Sequence, residues 1–280
     1  MRNSASSAAA VWLLNNMAFQ FEIIGQTARA WALYDEALVA ARELGNRPVE
    51  RFVSSGMPFV HYARGDWDRT LAEIDSFLSD AERTGGLFVE ADLHSIRSHI
   101  LVARGETEAA RTEADRSIAA ARRAGDPQVT IPALCNSAWL FMVEGLVAGA
   151  KPLLAELLDI PNSGISLSIE GALALAWSGL NDDLGRIAAE TASGLWRDTY
   201  AAIAEGRFLD AVALQEEQGY RPQPALLRLE AARELAARGA HAEAAEALVP
   251  AIEFWQSVGA TYWLAQAERL IGTPLVNRRP

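Results

Sequence analysis

The sequence predicts an all-α chain, a right-handed superhelical solenoid of antiparallel helix pairs, and three observations lead to that expectation. About a fifth of the 280 residues is alanine and β-branched runs are scarce, which favours helix over strand. Gly25, Gly65, Gly105 and Gly145 recur every forty residues, and Gly45, Gly85 and Gly125 follow the first three at an offset of twenty. Apolar helical stretches run up to each glycine of the first series and resume after it, as in Ala63-Arg64-Gly65-Asp66-Trp67. Each glycine therefore reads as a left-handed helix end followed by a partner helix, and a fixed period of this length marks stacked supersecondary units.

Taken in order, the first pair falls near 5–45, turning at Gly25 and closing at Gly45. Pairs near 48–85 and 87–125 repeat the layout around Gly65 and Gly105. Asp126-Pro127 offers an N-cap with proline at the first helical position of a fourth pair, 127–160. The strongest internal loop signal, Pro161-Asn162-Ser163-Gly164, follows. Spacing is irregular between 145 and 239, with turns expected at Gly179 and Gly206 in shorter pairs near 164–193 and 195–218. A break at 219–224 precedes the last pair, 223–258, which turns at Gly239 and closes at Gly259. A helix near 260–271 would cap the stack with a more polar face, giving one domain over 1–271 and a frayed tail at 272–280. Aligning the units on their turns superposes Phe21, His61, Leu101, Phe141 and Leu235 four residues before the glycine. Ala41, Ala81, Ala121 and, in the last unit, Trp255 stand sixteen after it, and large residues facing small ones at fixed offsets are what interdigitating pairs need.

Composition excludes several function classes. A formal charge of −11 repels phosphate backbones, so direct nucleic-acid binding is not expected. The single cysteine, Cys135, allows neither an internal disulfide nor a thiolate metal cage, which fits a reducing, cytoplasmic setting. The most apolar stretch, 131–150, is interrupted by Asn136, Ser137 and Glu144, and no membrane span is expected. The apolar run 8–14 follows its small residues instead of preceding them, so it reads as helix and not as a secretory signal.

The layout resembles a tetratricopeptide repeat array. In that family a small residue closes the first helix, a large one follows nine positions on and alanine follows at twelve; Gly25, Tyr34 and Ala37 match, and so nearly do Gly239, Leu248 and Ala251. Phe77 and Ser117 depart from the pattern, and the forty-residue period exceeds the family's usual length. A narrower resemblance covers the end of the chain, 224–238 and 247–261, with Asn15-Asn16-Met17-Ala18 and Asp126-Pro127-Gln128 fitting it. These stretches are similar to the C-terminal repeats of large bacterial, actinobacterial-type regulators. In those proteins such repeats follow an AAA ATPase module joined to an adenylate or guanylate cyclase or to a LuxR-type helix-turn-helix output domain. The resemblance implies a regulatory scaffold that binds a protein, a peptide or other domains of a parent protein, and not an enzyme.

The chemistry-bearing residues agree with that expectation. There is no Gly-Lys-Ser/Thr loop for a nucleotide, and Lys151 precedes Pro152 in a helix. His61, His94, His99 and His241 lack the convergent spacing of a metal site; Glu90 and His94 share a face, but His99 does not join them. Cys135 sits in a small-residue column with Asn15, Ser55 and Ser95, and adjacent acids such as Asp182-Asp183 diverge by about 100° on a helix. No cofactor, metal or catalytic residue is therefore expected. Residues six and three before each turn project towards the concave wall in the family pattern, which gives Phe59, Tyr62, His99, Trp139 and Met142 as the binding groove, with Phe19 and Glu22 at its start. The alternative is a small-molecule sensor in which the irregular stretch 145–219 opens a pocket lined by Trp139, Trp177 and Trp196.

Overall fold

In the computed structural model, which describes residues 4–84, 88–161 and 167–272, every regular element is an α-helix. Gly85, residues 162–164 of the loop signal and the tail beyond Gly272 lie outside the described residues, as does the side chain of Ala81. Helices α1 (Ser4–Ile23) and α2 (Thr27–Leu44) flank Gly25. Next come α3 (Arg47–Ser54), which packs on α2, and α4 (Met57–Arg64), which packs on α5 (Trp67–Thr84). The regular part ends with α6 (Glu90–Ala103), α7 (Thr107–Ala124), α8 (Pro127–Val143) and α9 (Val147–Asp159). Shorter helices follow, α10 (Ile169–Trp177), α11 (Asn181–Glu190), α12 (Leu195–Ala204) and α13 (Phe208–Glu217). The chain closes with α14 (Pro222–Ala237), α15 (His241–Val258) and α16 (Thr261–Ile271).

The local reasons are visible in the caps. Gly25, Gly65, Gly105 and Gly145 have φ between 75° and 85°, a region that costs an L-residue about 1–2 kcal/mol. The Asp126 carboxylate accepts the Gln128 amide at 2.8 Å with Pro127 at the first helical position, and Asn46 and Ser168 cap α3 and α10 in the same way. The second unit differs from the single first helix that the spacing suggests. Its first helix is divided at Ser55-Gly56, because Pro58 has no amide hydrogen and its ring cannot sit over the carbonyl of Ser54 in a continuous helix.

Pairing follows chain order through the first half: α1 packs on α2, α4 on α5, α6 on α7 and α8 on α9, while α4, α6, α8 and α10 neighbour one another as one layer. The second half does not continue outward. Helix α14 packs on α4 and α16 on α6, and Leu195 and Tyr220 complete the apolar cluster of Trp31, Tyr34, Val53 and Val60 in the first half. Polar contacts mark the same return. Trp196 Nε1 donates to the Glu22 carbonyl at 3.1 Å, the Arg221 amide to Ala63 at 3.1 Å, Thr261 Oγ1 to Arg104 at 2.9 Å and Tyr262 OH to Val143 at 3.1 Å. All four acceptors lie at the C-terminal ends of α1, α4, α6 and α8, where carbonyls lack a helical donor four residues on, although Glu22 also accepts from the Gly25 amide at 2.9 Å. No helix among the described residues is long and apolar enough to cross a membrane.

This return gives two of the forty-residue glycines, Gly25 and Gly65, a second role. A Cβ on Gly25 would stand 2.4 Å from Leu195 Cβ and one on Gly65 2.8 Å from the Phe254 ring, whereas one on Gly45 would meet nothing within 4 Å. Gly45→Ala should therefore cost only the left-handed backbone penalty, about 1–2 kcal/mol. Gly25→Ala should cost an additional 1–3 kcal/mol, roughly, from overpacking. Leu195→Ala in the Gly25→Ala background should recover part of that excess. Urea unfolding of the four proteins decides it: equal losses for Gly25→Ala and Gly45→Ala would show that the second half does not press on the first turn.

Candidate functional site

The inner faces of the first helices carry stripes at helical spacing: Asn15, Phe19 and Glu22 on α1; Phe59 and Tyr62 on α4; Asp92, Ser95 and His99 on α6. In an open array these stripes would line a groove. Here α10, α12, α13 and α14 come across them, bringing Glu170, Trp196, Gln215 and Gln223, and the result is a cavity of about 420 Å³. The lining is mainly apolar and aromatic, with acids and amides set into it.

Three of the residues expected in the groove, Phe59, Tyr62 and His99, line this cavity together. Trp139 does not and is corrected to core: it is 1% exposed, edge-on to His99 at 5.3 Å and 5.8 Å from Trp263 of α16. Met142 is corrected too. It borders a separate cleft of about 260 Å³ with Trp177, Glu230, Arg233 and Tyr262, and its sulfur accepts from Ser178 Oγ at 3.6 Å. One physical reason covers both, since Trp263 of α16 lies against Trp139 and side chains of α14 and α16 wall in Met142. The three tryptophans of the alternative pocket do not meet either; Trp196 alone lines the main cavity, while Trp177 Nε1 donates to Glu230 Oε2 at 2.9 Å.

The electrostatics of the cavity are unusual for a core. Among the described lining residues there are three carboxylates, Glu22, Asp92 and Glu170, one imidazole, His99, and no arginine or lysine. Burial pushes the Glu22 carboxyl up to about 7, although Tyr34 OH donates to its Oε2 at 3.1 Å. Burial, and then the charge of Glu22, raise Asp92 to about 7 as well. His99 is lowered by burial against the opposing pull of Glu170 and Asn136, so its neutral form dominates at pH 7. Several buried oxygens and one nitrogen in the wall find no hydrogen-bond partner: Glu22 Oε1, Glu170 Oε1, Gln215 Oε1, Gln223 Oε1, Tyr220 OH and His99 Nε2. Of these residues Glu170 is 1% and Gln215 0% exposed.

Several acids outside the cavity are paired. Burial of Glu113 is outweighed by His94, whose Nδ1 lies 2.6 Å away, and by Arg97 and Arg116, so its carboxyl stays below the usual range. Glu90, read above as a possible partner of His94, instead pairs with Arg123 at 2.8 Å. His61 Nδ1 meets Glu73 at 2.7 Å. Cys135 is fully buried against Gly171, and burial pushes its thiol up to about 12, far from a thiolate. No three metal-ligating side chains converge among the described residues.

Sequence reasoning missed Asp92, Glu170, Gln215 and Gln223. Asp92 was within reach, because it lies seven residues before His99 and so on the same helical face. The other three come from the irregular half, where no repeat frame assigns a face.

Two outcomes follow. Trp139→Ala should lower unfolding free energy by about 3–5 kcal/mol, a much larger loss than Phe59→Ala, as read by urea denaturation. The pH dependence follows from the raised carboxyls. Between their ordinary values and about 7 the folded protein holds protons that the unfolded chain has released, so stability is greatest below that window and falls as pH rises through it. Glu22→Gln with Asp92→Asn should flatten the decline between pH 5 and pH 8 and leave the variant more stable at pH 8; an unchanged slope would place the titration elsewhere. No protein-family model matches the chain, and no curated protein matches it.

Proposed function

We propose that this chain is a non-enzymatic regulatory module, a tetratricopeptide-like right-handed solenoid whose second half folds back over the first, and that it binds a small molecule in the cavity between them. The observation that supports the reading most is a cavity of about 420 Å³ walled by aromatic rings and by buried oxygens without partners. Packed cores hold neither voids of that size nor polar atoms left unsatisfied, whereas small-molecule sites have both until the ligand arrives. Binding is favoured over catalysis because the wall's serine hydroxyls are committed. Ser55 donates to the Phe52 carbonyl at 2.7 Å, Ser95 pairs with Ser117 at 2.8 Å, and Ser168 accepts from the Gly171 amide at 3.1 Å.

A protein partner is the second reading, and a different observation favours it. Leu13, Met17 and Ile24 are 60%, 39% and 48% exposed and share one face of α1 or its immediate end, an apolar stripe suited to a helix of an attached domain. Both readings fit a regulator in which ligand occupancy is passed to a neighbouring output domain.

Screening a metabolite library by thermal shift tests the ligand reading. A compound that raises Tm should lose about tenfold or more in affinity on Phe59→Ala or Trp196→Ala, the size expected of losing an aromatic wall, and should be unaffected by Met142→Ala. A ligand whose binding depends on Met142 and ignores Phe59 would move the site to the smaller cleft and defeat the assignment.

A further inference from the structure

We propose that the ligand of the main cavity is an organic cation, an amine or ammonium whose charge lies among Glu22, Asp92 and Glu170 while its apolar body rests on Phe19, Phe59 and Trp196. The inference rests on the cavity being a ligand site and adds the ligand's charge and shape.

The wall has the composition of a cation receptor. Acids from three different helices, α1, α6 and α10, meet one space to which no described arginine or lysine contributes. Glu170, itself 1% exposed, presents an Oε1 with no donor, and Glu22 Oε1 is in the same condition. Two further acceptors, the Oε1 atoms of Gln215 and Gln223, are also without donors. An empty receptor for a donor-rich cation should show this: acceptors in excess, here four orphaned oxygens of acids and amides against the one unused hydroxyl of Tyr220.

The other charge classes fit worse. An anion would meet three carboxylates and only a neutral His99. A neutral ligand leaves Glu22 and Asp92 without a counter-charge, each retaining its proton up to about pH 7. A cation between them favours their charged forms and satisfies their oxygens by charge-assisted hydrogen bonds. Aromatic faces add cation–π attraction in the same place. At long range the chain's net charge of −11 raises the local concentration of cations and lowers that of anions.

Ring-matched series that differ only in charge test this on the intact protein: tryptamine, tryptophol and indole-3-acetate, with phenethylamine, 2-phenylethanol and phenylacetate as a second set. Affinities come from calorimetry at pH 7.5, and the Trp196 indole resonance of labelled protein, assigned with Trp196→Phe, reports whether the compound enters the cavity. We expect each amine to bind about tenfold or more tightly than its alcohol, the ratio a charge-assisted hydrogen bond supplies, and each acid to bind more weakly than the alcohol. In Glu22→Gln with Asp92→Asn the amine-to-alcohol ratio should fall towards one with the alcohol's affinity retained. Alcohols or acids that shift Trp196 and bind as tightly as the amines overturn the cation assignment and leave the ligand cavity standing. If no compound of either series moves the Trp196 resonance, both readings fall together. An amine preference that survives the double substitution removes Glu22 and Asp92 from the site.

Discussion

The constraint on which the rest depends is the fate of the carbonyls at the ends of α1, α4, α6 and α8. A helix leaves its last four carbonyls unpaired, and a stack of parallel first helices presents all of these groups at one end. Here that end is covered by the chain itself: Trp196, Arg221, Thr261 and Tyr262 each donate to one of the four. Each bond contributes on the order of 1 kcal/mol, which is modest singly. Their placement matters more, because four anchors spread over one face hold the second half in register with the first.

The cavity follows from that closure, and its chemistry differs from that of the surrounding core. Glu113 is also buried but has His94, Arg97 and Arg116 beside it, and its carboxyl is held low. Glu22 and Asp92 lack such partners and are held high. Placing carboxyls in a low-dielectric space without counter-charges costs stability, and a fold with this many arginines had the means to pair them. The unpaired acids are therefore the feature that structural need explains least, and a binding role explains it directly.

The glycine period made the helices and their turns legible. Helix class, the turns at Gly25, Gly65 and Gly105, and the Asp126 cap are local properties, set by propensity and backbone dihedrals within a few residues. The inward stripe was legible as well, since Phe19, Glu22, Phe59, Tyr62 and His99 all reach the cavity from positions fixed by the repeat. What failed was anything decided across the chain. Trp139 and Met142 hold the same repeat positions as His99 and Tyr62 or their equivalents, yet side chains of α14 and α16 cover them. No periodicity within a unit reports that a helix more than a hundred residues later will lie over it.

The division of labour between the halves follows from this. The periodic half provides a stiff wall, because neighbouring pairs packed through large and small residues leave little freedom to any one helix. The irregular half provides the roof, and its shorter helices place Glu170, Trp196, Gln215 and Gln223 individually, free of a repeat frame. An occupant of the cavity touches both halves at once. Its binding energy therefore favours the arrangement in which roof and wall are together, and any domain joined to the roof feels that preference as a change in position. Coupling of this kind needs no route through the core, only a ligand that bridges the two halves of the chain.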